Sequence, residues 1–359
     1  MNKKIIFSGG GTGGHIFPAI NLMKHFFDKK YKVLLVTDNR GSNFIKNYIE
    51  FKSYILNVTT PTNKNLFKKF FSYFLIFYSI VRSILILKKE KPNLIFGFGG
   101  YVSFPISFAS RFFNLPLIIY ENNMVLGRAN KHLSSFSKKI LLAKKITKNF
   151  PEKYKSKTYE VGPILNKNII NSSSVKKTNV KEKFSILVLG GSQGAEIFGT
   201  VIPTVVKMIK DKGYEIEINQ QCIIGQKNSL IDFYKKNNIK NYVFEFDKNI
   251  LELVLPSSLA ITRCGASTTA ELVHTLTPFI AVPLSNSIDN HQYLNAKYYE
   301  NKGCCLLLEQ DNFDAENLFN LIIEAIKNKN KLKNIHENMK KNHNKNVYDN
   351  IENKIRKYI

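Results

Sequence analysis

Two stretches of the sequence share one pattern: KIIFSGGGTGGH at residues 4–15 and FSILVLGGSQGA at residues 184–195. In each, a short apolar run enters a glycine-rich turn, and a segment with helical spacing follows. A buried parallel strand that leads into a helix has this pattern, because glycines allow a tight turn and close contact between strand and helix. The sequence therefore predicts that each stretch opens a doubly wound α/β domain.

Further apolar runs alternate with segments of helical period after each of these stretches, as in chains of β-α-β units. The predicted strands are 4–7, 32–37, 93–98, 116–120 and 139–143, then 184–189, 215–220, 242–246, 259–262 and 278–282. A polar stretch rich in Ser, Asn and Lys, residues 166–183, separates the two series. We predict a first domain over residues 1–163, to which a helix at 341–359 returns, and a second domain over 164–340. The predicted fold class is α/β, with two Rossmann-like doubly wound domains that face a central cleft.

The chain carries a large positive charge. Among 359 residues, 53 Lys and Arg outnumber 27 Asp and Glu, which gives a formal net charge of +26. Residues 1–165 hold 27 basic and 7 acidic side chains, net +20. Such a charge predicts an anionic partner, either nucleic acid or a membrane, although a genome rich in A and T is an alternative source of Lys and Asn. Since no recognisable nucleic-acid-binding motif is present, we favour an anionic membrane surface and expect no nucleic acid partner.

The four cysteines show no metal-binding or disulfide pattern. They contain no C-x-x-C pair and no histidine at zinc-site spacing, so a reducing cytoplasm is expected. The apolar run at residues 5–7 is too short for a signal peptide, and no export by such a leader is expected.

Residues 70–87, FFSYFLIFYSIVRSILIL, form a long apolar segment between the second and third predicted strands. Three interpretations are open: a membrane span, a buried crossover helix, or a helix whose exposed aromatic face lies in a membrane interface. Arg82 near the middle disfavours a span. We favour the interface helix, because lysines on both sides of the segment attract anionic lipid. These lysines are Lys68, Lys69, Lys88 and Lys89.

The first glycine loop contains the spacing G-x-G-x-x-G at Gly9, Gly11 and Gly14, and Asp38 follows the next predicted strand. This pattern is typical of dinucleotide sites, so an NAD-dependent oxidoreductase is one alternative. Glycines that serve only strand–helix contact are another. The backbone amides of the loop and the dipole of the following helix favour any phosphate group.

Two more polar segments follow strands of the first domain, GFGGYVS at residues 97–103 and Glu-Asn-Asn at 121–123. Because parallel strands end at one edge of a sheet, both are expected to reach the same crevice as the first loop. His15 stands at the beginning of the first helix, where the helix dipole favours the neutral imidazole that a base requires.

The second domain has three polar clusters at successive strand ends, at residues 190–195, 263–271 and 289–292. Small residues in the first two allow a ligand to approach the backbone, and Glu271 can accept both hydroxyls of a ribose. Cys264 has no accompanying base and is not expected to be a nucleophile. The three clusters together predict a nucleotide-sugar pocket.

The motifs GGGTGGHIFPA, GFGGYVS, ENN, GGSQGA, RCGASTTAEL and DNHQ, in this order and spacing, closely resemble the MurG glycosyltransferases of glycosyltransferase family 28. The likeness covers essentially the whole chain. It implies a GT-B fold, UDP-N-acetylglucosamine as donor, and undecaprenyl-pyrophosphoryl-N-acetylmuramoyl-pentapeptide (lipid I) as acceptor. It also implies a peripheral location on the cytoplasmic face of the inner membrane and lipid II as the product.

The resemblance also assigns roles to individual residues. It gives as donor-binding positions Thr12, Gly13, Gly14, Asn123, Ser192, Arg263, Ala266, Ser267, Thr268, Thr269, Ala270, Glu271 and Gln292. It gives as acceptor-binding positions Gly99, Gly100, Tyr101, Ser103 and Glu121. His15 is the candidate catalytic base. The family usually has an Arg after the linker strand where this chain has Asn166, which puts that donor contact in doubt.

No Asp-x-Asp motif follows a predicted strand, so we expect no catalytic metal and no other cofactor. Three rival functions remain. An oxidoreductase leaves GFGGYVS and DNHQ unexplained, and a nucleic-acid-binding module accounts for the charge alone. A different sugar-nucleotide transferase of the same fold, acting on another lipid, is the rival that the sequence separates least well.

Overall fold

The computed structural model describes residues 3–45, 51–59, 66–146, 150–172, 183–191 and 195–359. Its strands are β1 (Lys4–Ser8), β2 (Lys32–Thr37), β3 (Lys52–Ile55), β4 (Leu94–Gly97), β5 (Leu117–Glu121), β6 (Lys139–Leu142), β7 (Thr158–Glu160), β8 (Phe184–Leu189), β9 (Ile216–Gln221), β10 (Lys240–Phe244), β11 (Leu259–Thr262), β12 (Phe279–Ala281) and β13 (Leu306–Leu307). Its helices are α1 (Gly13–Asp28), α2 (Asn39–Ile45), α3 (Leu66–Glu90), α4 (Ser103–Ala109), α5 (Arg128–Leu133), α6 (Lys167–Ser172), α7 (Glu196–Asp211), α8 (Lys227–Lys236), α9 (Ile250–Val254), α10 (Ala266–His274), α11 (His291–Glu300), α12 (Ala315–Lys327), α13 (Lys329–Asn342) and α14 (Val347–Ile355). Short 3-10 helices cover Ser110–Phe113, Glu152–Lys157, Ile288–Asn290, Gln310–Asn312 and Arg356–Tyr358.

The described strands form two parallel sheets. Seven strands have the order β3-β2-β1-β4-β5-β6-β7, and six have the order β10-β9-β8-β11-β12-β13. The order reverses beside β1 in one sheet and beside β8 in the other, and such switch points are where open α/β sheets bind ligands. The predicted α/β, doubly wound class is confirmed.

All ten predicted strands are present. One of them is shifted along the chain, and the structure has three further strands that the sequence did not predict. The predicted strand at 242–246 occupies Lys240–Phe244, where the ammonium of Lys240 pairs with Glu217 of the neighbouring strand at 3.0 Å. The strands that the sequence did not reveal, β3, β7 and β13, are two to four residues long and lie at sheet edges. None of the residues in these three edge strands is buried, so they lack the continuous apolar run that identified the buried strands.

The chain divides into two compact units, which we call unit 1 (residues 1–165 and 346–359) and unit 2 (residues 166–345). The sequence placed the boundaries near residues 163 and 341. Helix α14 belongs to unit 1, where the Tyr348 hydroxyl donates to the Leu165 carbonyl at 2.6 Å and the Asn350 amide donates to the Val161 carbonyl at 3.3 Å. Glu352 of the same helix pairs with His25 on α1 at 2.5 Å.

Helix α3 presents an inverted distribution of side chains. Its buried face carries the serines Ser72, Ser79 and Ser83, and the Ser79 hydroxyl donates to the carbonyl of Asn57 at 3.0 Å. Its exposed face carries large apolar side chains, namely Phe67, Phe70, Phe71, Tyr73, Phe74, Phe77, Tyr78, Val81 and Leu85. The interpretation as a buried crossover helix is therefore wrong for most of its length.

One helical stretch among the described residues, Phe70–Glu90, has the length and apolar composition of a membrane span. It connects β3 to β4 within one sheet, and its serine face contacts the protein. A span would remove this face from its hydrogen bonds, so the structure is contrary to that interpretation.

Glu90, the last residue of α3, joins three elements of unit 1. Its buried carboxylate accepts hydrogen bonds from Lys4 at 2.9 Å, from Lys52 at 2.5 Å and from the Tyr54 hydroxyl at 2.5 Å. Burial alone would raise the pKa of this carboxyl, but the hydrogen bonds from Lys52, Tyr54 and Lys4 outweigh it and lower the pKa to about 2. The ionised carboxylate therefore stabilises the folded state.

We expect Glu90→Gln to reduce the free energy of unfolding by about 2 to 3 kcal/mol at neutral pH. Because the folded-state pKa lies below the ordinary value of 4.5, this contribution is complete above that pH and is lost as the pH falls towards 2. Urea unfolding at several pH values should show the gap between wild type and variant closing in acid. The exposed Glu160→Gln is the matched control, and a gap independent of pH would contradict the prediction.

Candidate functional site

The glycine loop after β1 is held by the side chain of Asp38, which follows β2. One oxygen of this carboxylate accepts hydrogen bonds from the backbone amides of Gly11 at 3.1 Å and Gly41 at 2.7 Å. In a dinucleotide site the acidic residue after the second strand binds the ribose instead. Asp38 is committed to the loop, so the oxidoreductase interpretation loses its main residue.

The beginning of α1 has unsatisfied backbone donors. Thr12 precedes the helix without a side-chain capping bond, and the first turn contains no acidic residue. The amides of Gly13 and Gly14 therefore point out of the helix end, where an anion is favourable. Pro18 has no N–H to donate to the Gly14 carbonyl, and the Asn122 amide donates to that carbonyl instead, at 3.5 Å. The strand end after β5 is tied to α1 in this way.

His15 is oriented by the strand end after β4. Its Nδ1 lies 2.9 Å from the carbonyl oxygen of Phe98. Since a carbonyl only accepts, Nδ1 carries the proton, and Nε2 is the unprotonated nitrogen of the neutral ring. A Cβ on Gly99 would lie 3.1 Å from the imidazole, so the ring requires glycine there.

The predicted acceptor-binding glycines are contact residues between two loops. A Cβ on Gly100 would lie 2.7 Å from the carbonyl oxygen of Gly10. Ser103 is buried and its hydroxyl donates to the Gly100 carbonyl at 2.9 Å. Gly99, Gly100 and Ser103 thus shape the loop, and Tyr101 is partly exposed. Their assignment as acceptor contacts stays a prediction.

Glu121 also has a different place from the predicted one. It is 1% exposed, and its two oxygens accept from the Asn123 backbone and side chain, both at 3.1 Å, and from the Gly127 amide and the Asn130 side chain, both at 2.9 Å. The carboxylate is saturated by the turn that follows β5. It therefore positions Asn123 and is not a direct acceptor contact.

In unit 2 the glycine loop after β8 is only partly described. The Gly190 amide donates to the Gln221 side chain at 3.1 Å, and Gly191 has a φ of +81°, which favours glycine. The predicted donor residue Ser192 lies outside the described residues.

Helix α10 offers donors and a carboxylate at one end. Gly265, the residue before the helix, has no side chain that could cap it. The first-turn amides of Ala266, Ser267 and Thr268 have no acceptor within the helix. The carboxylate of Glu271, one turn later, is partly buried and makes no hydrogen bond or ion pair with any described residue. Burial raises the pKa of its carboxyl to about 7. This combination suits a phosphate at the amides and hydroxyls at the carboxylate.

Two predicted donor residues of α10 do not offer side chains to a ligand. The Thr269 hydroxyl donates to the Gly265 carbonyl at 3.1 Å, inside the helix, and Ala270 is buried. Any contribution from them is through the backbone.

Gln292 and Arg263 connect the ends of β11 and β12. The Gln292 side-chain oxygen accepts from the amides of Cys264 and Leu284, both at 3.1 Å, which leaves its NH₂ group as a donor. Arg263 is 7% exposed and donates to the carbonyl of Val282 at 3.2 Å. The predicted direct contact of Arg263 with the donor stays a prediction, because the side chain is buried and bonded to backbone carbonyls.

Asn166 has a local structural role. Its side-chain oxygen accepts from the Asn168 amide at 2.9 Å, and its backbone carbonyl accepts from Ile169 and Ile170. It therefore caps α6. The doubtful donor contact at this position has no support in the structure.

Comparisons with known proteins agree with this arrangement. The glycosyltransferase family 28 N-terminal domain matches residues 5–142 and its C-terminal domain matches residues 185–353. The chain belongs to glycosyltransferase family 28. This membership confirms the predicted family and the predicted class of enzyme.

Curated relatives of this glycosyltransferase are similar over nearly their whole length. Proteins from Pelagibacter ubique and Rickettsia bellii are each 36% identical, over 95% and 94% of this chain and 94% of their own. Both are named UDP-N-acetylglucosamine–N-acetylmuramyl-(pentapeptide) pyrophosphoryl-undecaprenol N-acetylglucosamine transferase.

Solved structures support the GT-B fold. MurG of Acinetobacter baumannii matches with a TM-score of 0.79 at 24% identity, over 99% of both chains. The UDP-GlcNAc 2-epimerase of Neisseria meningitidis, bound to UDP-GlcNAc, matches with a TM-score of 0.67 at 12% identity, over 99% of this chain and all of its own.

Sequence reasoning did not assign the roles of three positioning residues. Asn122 bonds to the first turn of α1, Asn130 to the end of β5, and Gln221 to the loop after β8. Asn122 had a sequence signal, because Pro18 leaves a carbonyl four residues earlier without its helical donor. Among the described residues, no group of three or more His, Cys, Asp or Glu side chains could hold a metal ion.

Two glycines of the first loop should separate structural contact from ligand contact. A Cβ on Gly10 would lie 2.7 Å from Asp38 and 2.9 Å from Val102, whereas a Cβ on Gly14 meets nothing closer than 3.7 Å. We expect Gly10→Ala to reduce the free energy of unfolding by about 1 to 3 kcal/mol. Gly14→Ala should retain stability but lower glycosyl transfer at least about tenfold, since its methyl occupies the space before the helix amides.

Thermal unfolding and transfer assays on both variants check this contrast. Full transfer by a stable Gly14→Ala protein would show that this helix end does not meet a substrate.

Proposed function

We propose that the chain transfers N-acetylglucosamine from UDP-N-acetylglucosamine to the C4 hydroxyl of undecaprenyl-pyrophosphoryl-N-acetylmuramoyl-pentapeptide (lipid I). The product is lipid II for peptidoglycan synthesis. The names of the curated relatives support both substrates. In the structure, the observation that carries the donor assignment is the start of α10, where the first-turn amides precede the partly buried carboxylate of Glu271.

The donor is held by unit 2. The diphosphate meets the amides of Ala266, Ser267 and Thr268, and the ribose hydroxyls donate to Glu271. The NH₂ group of Gln292 donates to the nucleotide, because its oxygen is already bonded to the backbone. A diphosphate at two helix N-termini, those of α7 and α10, is stabilised by the backbone without a metal ion.

The reaction is an inverting displacement. The acceptor oxygen forms a bond to the anomeric carbon while the bond from that carbon to the diphosphate oxygen breaks. UDP leaves with the electron pair, and Nε2 of His15 takes the hydroxyl proton. The hydrogen bond from Nδ1 to the Phe98 carbonyl fixes the tautomer that makes Nε2 the base.

The acceptor is anchored in a bilayer, and we place the chain peripherally on the cytoplasmic face of the inner membrane. The aromatic face of α3 supports this location, since a water-exposed face with Phe70 at 77% and Phe77 at 65% exposure is unfavourable. The net charge of +20 in residues 1–165 adds attraction to anionic lipid. The partners are therefore the nucleotide sugar, the lipid acceptor and the membrane surface, and no nucleic acid.

The transfer reaction is tested with labelled UDP-N-acetylglucosamine and a lipid I analogue in detergent, with EDTA present. We expect transfer by the wild type, and a loss of kcat of about 10²- to 10⁴-fold in His15→Ala with little change in the donor KM. Loss of wild-type transfer on adding EDTA would reject metal independence. A folded His15→Ala variant with unchanged kcat would reject His15 as the base.

Membrane docking is tested by flotation with vesicles that contain phosphatidylglycerol. The triple variant Phe70→Ser, Phe74→Ser and Phe77→Ser should bind at least about 100-fold more weakly, because three apolar contacts with lipid are lost. The control is Phe246→Ser, which removes an aromatic side chain of unit 2 with 64% exposure. Equal binding by the folded triple variant and the wild type would reject the docking role.

A further inference from the structure

Arg263 is a buried cation at the carboxyl end of β11. Its backbone amide donates to the Leu189 carbonyl at 3.1 Å, which places it beside the end of β8. Its side chain donates to the carbonyls of Val282 at 3.2 Å and Pro283 at 3.4 Å. The guanidinium carbon lies 5.0 Å from the centre of the Phe198 ring.

No acidic side chain among the described residues forms an ion pair with Arg263. Its hydrogen-bond acceptors are neutral carbonyls, and Glu196 in the first turn of α7 is exposed to solvent. Burial lowers the pKa of the guanidinium, which shows that the surroundings disfavour the charge. A buried charge without a counter-ion is costly.

The neighbours of Arg263 increase this cost. Phe198, on which the guanidinium rests, lies in the first turn of α7, and α10 begins three residues after Arg263. Both helix ends have partial positive charge, the same sign as the guanidinium. An anion bound at these helix ends would compensate the positive charge of the guanidinium and the partial positive charges of both helix N-termini.

Holding the ends of β11 and β12 together does not by itself require a charged side chain. Gln292 connects the same strand ends through the amides of Cys264 and Leu284, with a neutral side chain. Gly191 lies directly beside Arg263, since a Cβ on this glycine would be 3.9 Å from the Cβ of Arg263. The charge is therefore next to the loop that the diphosphate approaches.

We propose that Arg263 is a positioning residue whose buried charge attracts the donor diphosphate through the loop at Gly191 and the ends of α7 and α10, without touching it. The proposal rests on the proposed function. It assigns to Arg263 the affinity for the phosphates, and not for the uridine.

The experiment measures the dissociation constants of UDP and of uridine for the full chain, by calorimetric titration and competition. Arg263→Gln keeps an amide donor for the carbonyls but removes the charge, and Arg263→Lys keeps the charge. We expect Arg263→Gln to weaken UDP binding about tenfold or more while uridine binding changes less than about twofold. Arg263→Lys should keep the wild-type ratio of UDP to uridine affinity.

The outcomes are distinct. Equal weakening of UDP and uridine, or no weakening, in a folded Arg263→Gln variant would overturn the inference and leave a purely mechanical role. If thermal unfolding shows that Arg263→Gln does not fold, the Arg263→Lys ratio decides, and its loss would also overturn the inference. A wild-type chain that does not bind UDP would instead reject the proposed function.

Discussion

The site in unit 1 depends on the close approach of two glycine loops. The Gly10 carbonyl and Gly100 leave no room for a Cβ between them, and His15 rests against Gly99. This contact places the imidazole where its Nδ1 bonds to the Phe98 carbonyl, and so it sets the tautomer. The glycines therefore matter twice, once for the contact and once, at Gly13 and Gly14, for the amides that remain open to a ligand.

Polar side chains that are at least partly buried perform the same task in both units. Asp38 and Glu121 in unit 1, and Gln292 and Arg263 in unit 2, each hold backbone groups at strand ends. These bonds to backbone groups keep the strand ends and loops in place before substrate binds and lower the ordering cost of binding. Glu271 differs, because its carboxylate has no partner among the described residues and its pKa is raised to about 7. The carboxylate of Glu271 and the NH₂ group of Gln292 are therefore the side-chain groups of unit 2 that we propose for ligand contact.

In helix α3 the polar side chains lie inside the protein and the large apolar side chains lie outside. Serine hydroxyls satisfy their hydrogen bonds within the protein, as Ser83 does with the Ser79 carbonyl at 2.6 Å, while the aromatic side chains remain outside. A soluble crossover helix would bury the aromatic face and expose the serines. An exposed aromatic face of this size is typical of a surface that a partner covers, and the membrane docking proposed above supplies such a partner.

The sequence by itself determined the two α/β units, the positions of ten strands along the chain, the glycine loops and the family, because apolar period and glycine spacing are local properties. Only the tertiary structure decided which polar residues remain open to a ligand. Gly14 obtains its donor from Asn122, 108 residues away, and Gly11 obtains its acceptor from Asp38, 27 residues away. Short edge strands such as β7 were also beyond the sequence pattern. Saturation of a polar atom is a property of the folded neighbourhood, and residue type and spacing along the chain do not encode it directly.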